Sequence, residues 1–246
     1  MVSVLKFAPV EGISRTAIDR AGVELRRWWD SDDEDLPFET IEALTAMIAF
    51  RETFQLPLNK TVAGLRSMVC SECPELKAPG TRIPVVQRLK RQAQIINKLS
   101  RFPESKLSNM GDIGGCRAIL PSRAQVDGVV RRIRHNWHVH GAIRDTRDEP
   151  APSGYRAVHI IVIRDGRRIE VQLRDPREHE WAVAVERLGA RLGIGLKEGD
   201  GPAELKEYLR LASTGMYLDS VEVEPTAEFL EEFHRVRAKI SSLLQR

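Results

Sequence analysis

The sequence predicts an α/β fold of the α+β kind: a mixed central β-sheet flanked by helices, with helical extensions at both ends. Three observations carry this reading. Tyr155 to Arg174 holds two β-branched runs joined by Asp165-Gly166, the sequence form of a two-residue hairpin. Helical patterns fill the chain before residue 80 and again after Pro176. Between them the pattern mixes helix and strand. The expected organisation is a helical N-terminal region at 1–80, an α/β core at 81–192 and a helical C-terminal region at 193–246.

In chain order, Ser14 to Asp30 reads as an amphipathic helix with Ser14 or Thr16 as N-cap. A second helix is expected over Phe38 to Phe54, and a third from Asn59 towards Cys70. Pro74, Pro79, Gly80 and Pro84 punctuate a loop. Lys90, Gln94, Lys98 and Arg101 fall on one helical stripe by their i, i+4, i+8, i+11 spacing. Arg88 would lie far round such a helix from Lys90, whereas an extended segment points both the same way. Arg88-Leu-Lys90 is therefore expected to precede the helix, although no clear cap is visible. Later helices are expected at Pro176 to Leu192, Pro202 to Ala212 and Pro225 to Leu244.

Composition bounds the function classes. The chain has 246 residues, 42% hydrophobic and 30% charged, enough to bury a sizeable core. No apolar run approaches the ~20 residues of a membrane span, and Met1 to Val10 lacks a signal-peptide layout. A cytoplasmic location and no membrane partner are expected. Cys70 and Cys73 form one C-x-x-C, but no second pair or His pair follows to complete a zinc site, so two small buried helix thiols are the expectation.

The net charge of +3 hides strong segregation. Thr81 to Arg101 carries six basic residues and no acid, and Arg131 to Arg147 sets five arginines against Asp145. Asp30 to Asp35 is acidic, and Met216 to Glu232 carries six acids without Lys or Arg. The basic segments flank the predicted core and point to an anionic ligand.

In the hairpin, the Asp165-Gly166 turn sets the register: Val158 faces Leu173, Ile160 faces Val171 and Val162 faces Ile169, giving one wholly apolar face. The alternate face displays Tyr155, Ala157, His159 and Ile161 beside Glu170, Gln172 and Arg174, with His159 opposite Gln172. An aromatic ring, an imidazole, a carboxylate, an amide and a guanidinium sharing one surface are types that read a base and hold a metal.

Here the sequence resembles the RelA/SpoT family of nucleotide pyrophosphokinases. The matching pieces are Arg88-Leu-Lys90 with Lys98, Asp112-Ile-Gly-Gly-Cys-Arg117, Ser153-Gly-Tyr-Arg-Ala-Val-His159, Glu170-Val-Gln-Leu-Arg174 and His179-Glu-Trp-Ala182, in family order over about residues 82 to 187. The resemblance implies transfer of pyrophosphate from ATP to a ribose hydroxyl. It implies Asp112 and Glu170 as Mg²⁺ ligands, with Glu170 also the base for the acceptor hydroxyl. Arg88 and Arg117 would bracket the adenine, and Lys90 and Lys98 would meet the phosphates. Tyr155 would stack on the acceptor base, with His159, Gln172 and Arg174 around it.

The sequence also departs from the family pattern. The usual Asp-Tyr-Ile and Pro-Lys read Asp145-Thr146-Arg147 and Pro150-Ala151, and the serine after Lys90 is Gln94. No His-Asp dipeptide is present, so a stand-alone small synthetase without the hydrolase of bifunctional relatives is expected. The wording Met110 to Arg117 with His179 to Ala182 is closer to the toxic small alarmone synthetases. That subgroup implies the 3′ end of tRNA as acceptor and a protein antitoxin as partner, with Arg131, Arg132 and Arg134 as RNA contacts. The alternative acceptor is GDP or GTP, giving guanosine tetra- or pentaphosphate. A different class of reading, an inactive nucleotide- or RNA-binding regulator, draws on the lysine lost at Ala151. The residues leave the oligomeric state open.

Overall fold

The computed structural model describes residues 13–31, 35–78, 80–81 and 83–244. The expectations for Met1 to Val10, for the middle of the acidic run at 30–35, and for Pro79 and Arg82 fall outside them. In chain order come α1 (Arg15–Trp29), α2 (Phe38–Glu52), α3 (Gln55–Glu72), β1 (Val85–Leu89), α4 (Gln92–Arg101), β2 (Gly114–Ile119), α5 (Arg123–Asn136), β3 (Arg144–Asp145), β4 (Val158–Arg164), β5 (Arg167–Arg174), α6 (Pro176–Leu192), α7 (Ala203–Ser220) and α8 (Ala227–Leu244). The strands form one sheet in the order β1-β2-β5-β4-β3. β2 and β5 run parallel at its centre, and the other neighbours are antiparallel. The mixed sheet with helical additions at both ends is the architecture that the sequence predicts.

The hairpin register is the expected one: Val158 pairs with Leu173, His159 with Gln172, Ile160 with Val171 and Val162 with Ile169. Asp165 (φ 48°) and Gly166 (φ 73°) both lie in the left-handed region, as a type I′ turn requires. Val158, Ile160, Val162, Ile169, Val171 and Leu173 are fully buried. α3 packs on β1, β2, β4 and β5 and α5 packs on α3 and β5, which together cover this apolar face.

Helix ends follow local chemistry. Ser14 caps α1 by accepting from the Ala17 amide. α6 opens with Pro176 in its first turn and a capping box, in which Asp175 accepts from Glu178 N and Glu178 from Asp175 N, and closes on left-handed Gly193. α4 begins after Arg91, which makes no side-chain cap. Two helices exceed their expected lengths. α3 starts at Gln55 rather than Asn59, because Pro57 sits in the first turn, where its missing N–H costs nothing. α7 runs on to Ser220 rather than stopping at Ala212, since Ser213 and Tyr217 continue the stripe of Leu205 and Leu209 and bond the loop before β4. Cys70 is half-buried on α3 and Cys73 is buried one residue past its end, where burial and the nearby Glu75 and Glu72 push its thiol up to about 11.

A second apolar cluster joins α6, α7 and α8 to the segment entering β4, through Tyr155, Ala157, Trp181, Val185, Leu205, Leu209 and Ile240. Arg156 ties the same segment to α7. It is 5% exposed, donates from Nε to Ser213 Oγ at 3.1 Å and from Nη1 to the Arg147 carbonyl, and lies 4.4 Å from the Tyr217 ring centroid. Gly154 (φ 88°) makes this docking possible, because a Cβ there would stand 2.9 Å from Arg210 Cα and 3.1 Å from the Leu209 carbonyl oxygen. Gly154→Ala is therefore expected to lower unfolding free energy by at least about 1–3 kcal/mol, the cost of a non-glycine left-handed residue. Urea denaturation measures it, and an unchanged midpoint would mean that α7 does not hold this loop.

Candidate active site

The polar face of the sheet is assembled by register. Arg88 pairs with Gly115, Val86 with Arg117, Gly115 with Glu170 and Arg117 with Gln172, while His159 lies across from Gln172. Arg88, Arg117, Glu170, Gln172 and His159 therefore share one surface. Gly115 keeps that surface open beside Glu170, whose Oε2 would be 3.8 Å from a Cβ there. A cleft of about 1030 Å³ between α4 and α6 and a hollow of about 260 Å³ above Glu170 lie over it. Arg88, Asp112, Glu186 and Lys197 line both.

Asp112, just before β2, is the hub of the cleft. Its Oδ2 accepts from Lys90 Nζ at 2.7 Å and Lys98 Nζ at 2.9 Å. The Lys90 backbone is held on both sides, its N–H donating to the Ile113 carbonyl (2.8 Å) and its carbonyl accepting from Arg51 Nε (2.7 Å). Lys90 thus follows β1 directly, extended and on the same side as Arg88, while Lys98 projects from α4. Burial would raise the Asp112 carboxyl, but the Lys98 and Lys90 charges outweigh it and hold it below the ordinary carboxylate value. Asp112 Oδ1 is buried and has no hydrogen-bond partner.

Glu170 anchors the neighbouring half. His159 Nδ1 lies 2.8 Å from Oε1, and Gln172 Nε2 donates to Oε2 at 2.8 Å. Burial and Asp112 raise its carboxyl, yet the bonds from His159 and Gln172 leave it below its usual value. An ionised carboxylate only accepts, so His159 Nδ1 carries a proton. In the neutral ring Nε2 then accepts from the Tyr155 hydroxyl at 2.8 Å, and that hydroxyl accepts from Arg174 Nη2 at 2.6 Å. Tyr155, His159, Glu170, Gln172 and Arg174 form one hydrogen-bonded chain.

The site holds more cation than it pairs. Arg174 is fully buried, and its Nε and Nη1 have no partner; Arg117 Nε and His179 Nδ1 are likewise buried and unpartnered. Burial and the Arg174 charge depress the Arg117 guanidinium, and burial with the Arg117 and Arg174 charges depresses His179. Buried donors without acceptors cost free energy unless an anionic ligand meets them.

The Tyr155 ring, expected to offer a stacking surface, is 7% exposed. Arg174 Cζ lies 4.9 Å and Lys197 Nζ 5.1 Å from its centroid. Arg131, Arg132 and Arg134 are exposed on α5, which packs on the apolar side of the sheet, away from the cleft; Arg132 pairs with Glu72 of α3. Thr146, Arg147 and Ala151, where the family pattern breaks, turn away from the cleft. Thr146 Oγ1 bonds the Ala157 backbone, Arg147 pairs with Asp145 and Asp127, and Ala151 packs against the second apolar cluster. Sequence reasoning missed Glu186 and Lys197. Glu186 was within reach, since His179, Ala182 and Glu186 lie on one helical face by their i, i+3, i+7 spacing.

A family model described as the region found in RelA / SpoT proteins matches residues 87–187, a span that holds Arg88, Lys90, Lys98, Asp112, Arg117, Tyr155, His159, Glu170, Gln172 and Arg174 but not Lys197. The chain carries a RelA/SpoT region. An uncharacterized protein of Mycobacterium tuberculosis is 32% identical over 197 residues, covering 78% of this chain and 64% of that protein, and one from Mycobacterium bovis aligns to the same extent. This chain thus spans 64% of the length of the curated relatives it matches. Among solved structures, small alarmone synthetase 2 from Bacillus subtilis superposes with a TM-score of 0.56 at 21% identity, over 70% of this chain and 92% of that one. A GTP pyrophosphokinase family protein from Streptococcus pneumoniae gives 0.53 at 22% identity (78% and 95% covered). Small alarmone synthetase 1 from Bacillus subtilis, bound to its product pppGpp, gives 0.52 at 22% identity (77% and 97% covered). At these identities the likeness is one of fold.

Within this RelA/SpoT cleft the charge balance at Asp112 can be titrated. A carboxylate held low stabilises the fold above its unfolded value and loses that contribution as pH falls through the folded value. The ¹³C shift of the Asp112 carboxyl should titrate below the ordinary aspartate value of 3.8 in the parent. In a Lys90→Met/Lys98→Met variant burial acts alone, so the midpoint should rise above 3.8. A midpoint unmoved by the double substitution would mean that the lysines do not set this carboxylate.

Proposed function

We propose that this chain is an ATP-dependent pyrophosphokinase that transfers the β,γ-pyrophosphate of ATP to a ribose 3′-hydroxyl. The observation that carries this reading is Asp112, whose Oδ2 is held by two lysines while its buried Oδ1 has no partner. A carboxylate oxygen free in a cation-lined cleft, coupled to a second carboxylate at Glu170, suits Mg²⁺, which takes one or two carboxylates and completes its shell with phosphate oxygens and water. Asp112 and Glu170 would hold the ion. When bound it would neutralise charge on the phosphate oxygens.

The chain's own groups do the rest. Arg88 and Arg117, two positions apart on adjacent strands, would bracket the adenine, and Lys90 and Lys98 would meet the phosphates once these compete for their ammonium groups. Glu170, ionised at neutral pH, would take the proton from the acceptor 3′-hydroxyl. The new bond joins that oxygen to Pβ, the bond between Pβ and the α,β-bridging oxygen breaks, and AMP leaves keeping that oxygen and the electron pair. His159 and Gln172 orient Glu170, and Arg174 holds the Tyr155 hydroxyl.

For the acceptor, a free guanosine nucleotide is the first reading. Arg117 lines the hollow above Glu170, and its charge and that of Arg174 both reach His179, so positive charge gathers beside the site as a compact polyphosphate requires, and a fold relative was solved with pppGpp as its product. The 3′ end of tRNA is the second reading, favoured by the exposed Arg131 and Arg134, for which no ion pair occurs among the described residues. It would bring a protein antitoxin as partner. RNA reaching from α5 to the cleft must pass round the sheet, which is why it stands second. A cytoplasmic location accords with either acceptor, and no described helix is long and apolar enough to cross a membrane.

Incubation with γ-labelled ATP and Mg²⁺, with GDP, GTP or total tRNA, tests the reading directly. Label should appear in an acceptor, and Glu170→Gln should lower the rate roughly 10²–10⁴-fold, the span of general-base loss. ATP binding without transfer to any acceptor would favour the inactive-regulator reading instead. If tRNA takes the label, charge reversal at Arg131, Arg132 and Arg134 should weaken transfer to tRNA and flatten its salt dependence, leaving ATP binding unchanged. Equal loss of both would remove those arginines from RNA recognition.

A further inference from the structure

Lys197 stands where an acceptor base would have to go. Its Nζ is 5.1 Å from the Tyr155 ring centroid, within cation–π range, and donates to Glu186 Oε1 at 2.6 Å. The side chain lines both the α4–α6 cleft and the hollow above Glu170, so it sits where the donor and acceptor halves meet. It also lies outside the stretch matched to the family model.

The backbone under Lys197 is not what moves. Leu196, its neighbour in the short turn Leu196–Glu198, is 1% exposed in the cluster with Trp181 and Leu205. Gly201 packs so tightly on Leu196 that a Cβ there would come 3.0 Å from Cδ2. The four-carbon lysine stem, by contrast, can swing its ammonium several ångström without disturbing that anchor. Leaving the ring and Glu186 costs the ammonium two contacts, and only another anion at the junction restores them.

We propose that Lys197 is a specificity-determining residue of the acceptor site. It rests on Tyr155 and Glu186 when the site is empty, and transfers its ammonium to an acceptor phosphate as the acceptor base takes its place on the ring. The proposal rests on the pyrophosphokinase reading above. The exchange selects for ligands that carry a base and a nearby phosphate together. A nucleoside displaces the lysine without offering it a new partner, so it meets a penalty beyond the absence of its own phosphate contacts.

Equilibrium binding of GTP and of guanosine, by calorimetry with the donor site filled by a non-hydrolysable ATP analogue, tests this. The proteins are the parent, Lys197→Met, Glu186→Gln and the double variant. Lys197→Met should weaken GTP roughly tenfold, the scale of one charge-assisted contact, and tighten guanosine. Glu186→Gln should tighten GTP while Lys197 is present and lose that effect in the Lys197→Met background. Deacylated tRNA is run in parallel as the other phosphate-bearing acceptor and should follow GTP if it binds. Changes of the same sign for GTP and guanosine overturn the exchange: both weaker means a structural lysine, both tighter a simple plug. Equal tightening by Glu186→Gln in both backgrounds, or no binding of GTP or tRNA to any of the four proteins, overturns it as well. The reaction is judged separately: missing label transfer with the sign pattern intact rejects the pyrophosphokinase and keeps the exchange, and the reverse result does the opposite.

Discussion

The pairing register of β4 and β5 is the constraint on which the rest of the structure depends. Side chains on a strand alternate with period two, so a slip by one residue would send Val158, Ile160 and Val162 to the cleft and bury His159 against α3. The left-handed pair Asp165 and Gly166 rules that slip out locally, before any tertiary contact forms. Once register is fixed, β2 joins β5 in parallel and brings Gly115 and Arg117 beside Glu170 and Gln172. β1 then adds Arg88 to the same surface. The polar cleft is thus what remains when one face of a sheet has been wholly committed to the core.

That origin explains why so much of the cleft was legible from residues alone. A two-residue turn and alternation suffice to place Glu170, Gln172 and His159, and helical spacing suffices for Lys98 relative to Gln94 and Arg101. The extended setting of Arg88 and Lys90 followed from a negative argument: no helix could put both on one side. The closure of the Tyr155 ring was not legible, because it comes from distant elements: the ring sits in the cluster with Trp181, Leu205 and Leu209, and Arg174 and Lys197 lie over it. Nor was the burial of Arg147, whose partner Asp127 is twenty residues earlier on α5 and was invisible to any local pattern. The C-terminal length of α7 was missed for a related reason: Ser213 and Tyr217 continue the stripe of Leu205 and Leu209 as polar residues, and they dock through bonds to the loop before β4.

The electrostatics run opposite to what folding alone would select. A fully buried guanidinium with two unpartnered nitrogens, an orphaned carboxylate oxygen and an imidazole depressed by burial and by two arginines are each unfavourable in the free protein. The apolar face of the same sheet, fully buried and continuous, offsets them. Stability and binding competence are therefore divided between the two sides of five strands. The loop positions Thr146, Arg147 and Ala151, where the family pattern breaks, do not disturb this division, while Gln94 on α4 stands in the cleft lining itself. Arg147 gains two carboxylates and Thr146 caps the Ala157 backbone, so these substitutions rebuild the support of the loop and leave the cleft lining alone.

Arg156 gives that loop a further property. By bonding the Arg147 carbonyl, the Asp148 carbonyl and Ser213 together, with Tyr217 over its guanidinium and bonded to Asp148, it welds residues 145–156 and α7 into one cooperative unit. Such a unit opens as a whole or not at all, and opening it would expose Trp181 and Leu209 with it. None of these residues lines the cleft or the hollow above Glu170, so the unit supports the entry to β4 from outside the site. The basic lining lies instead on α4, where Lys98 and Arg101 present their charge to a polyanion in the cleft.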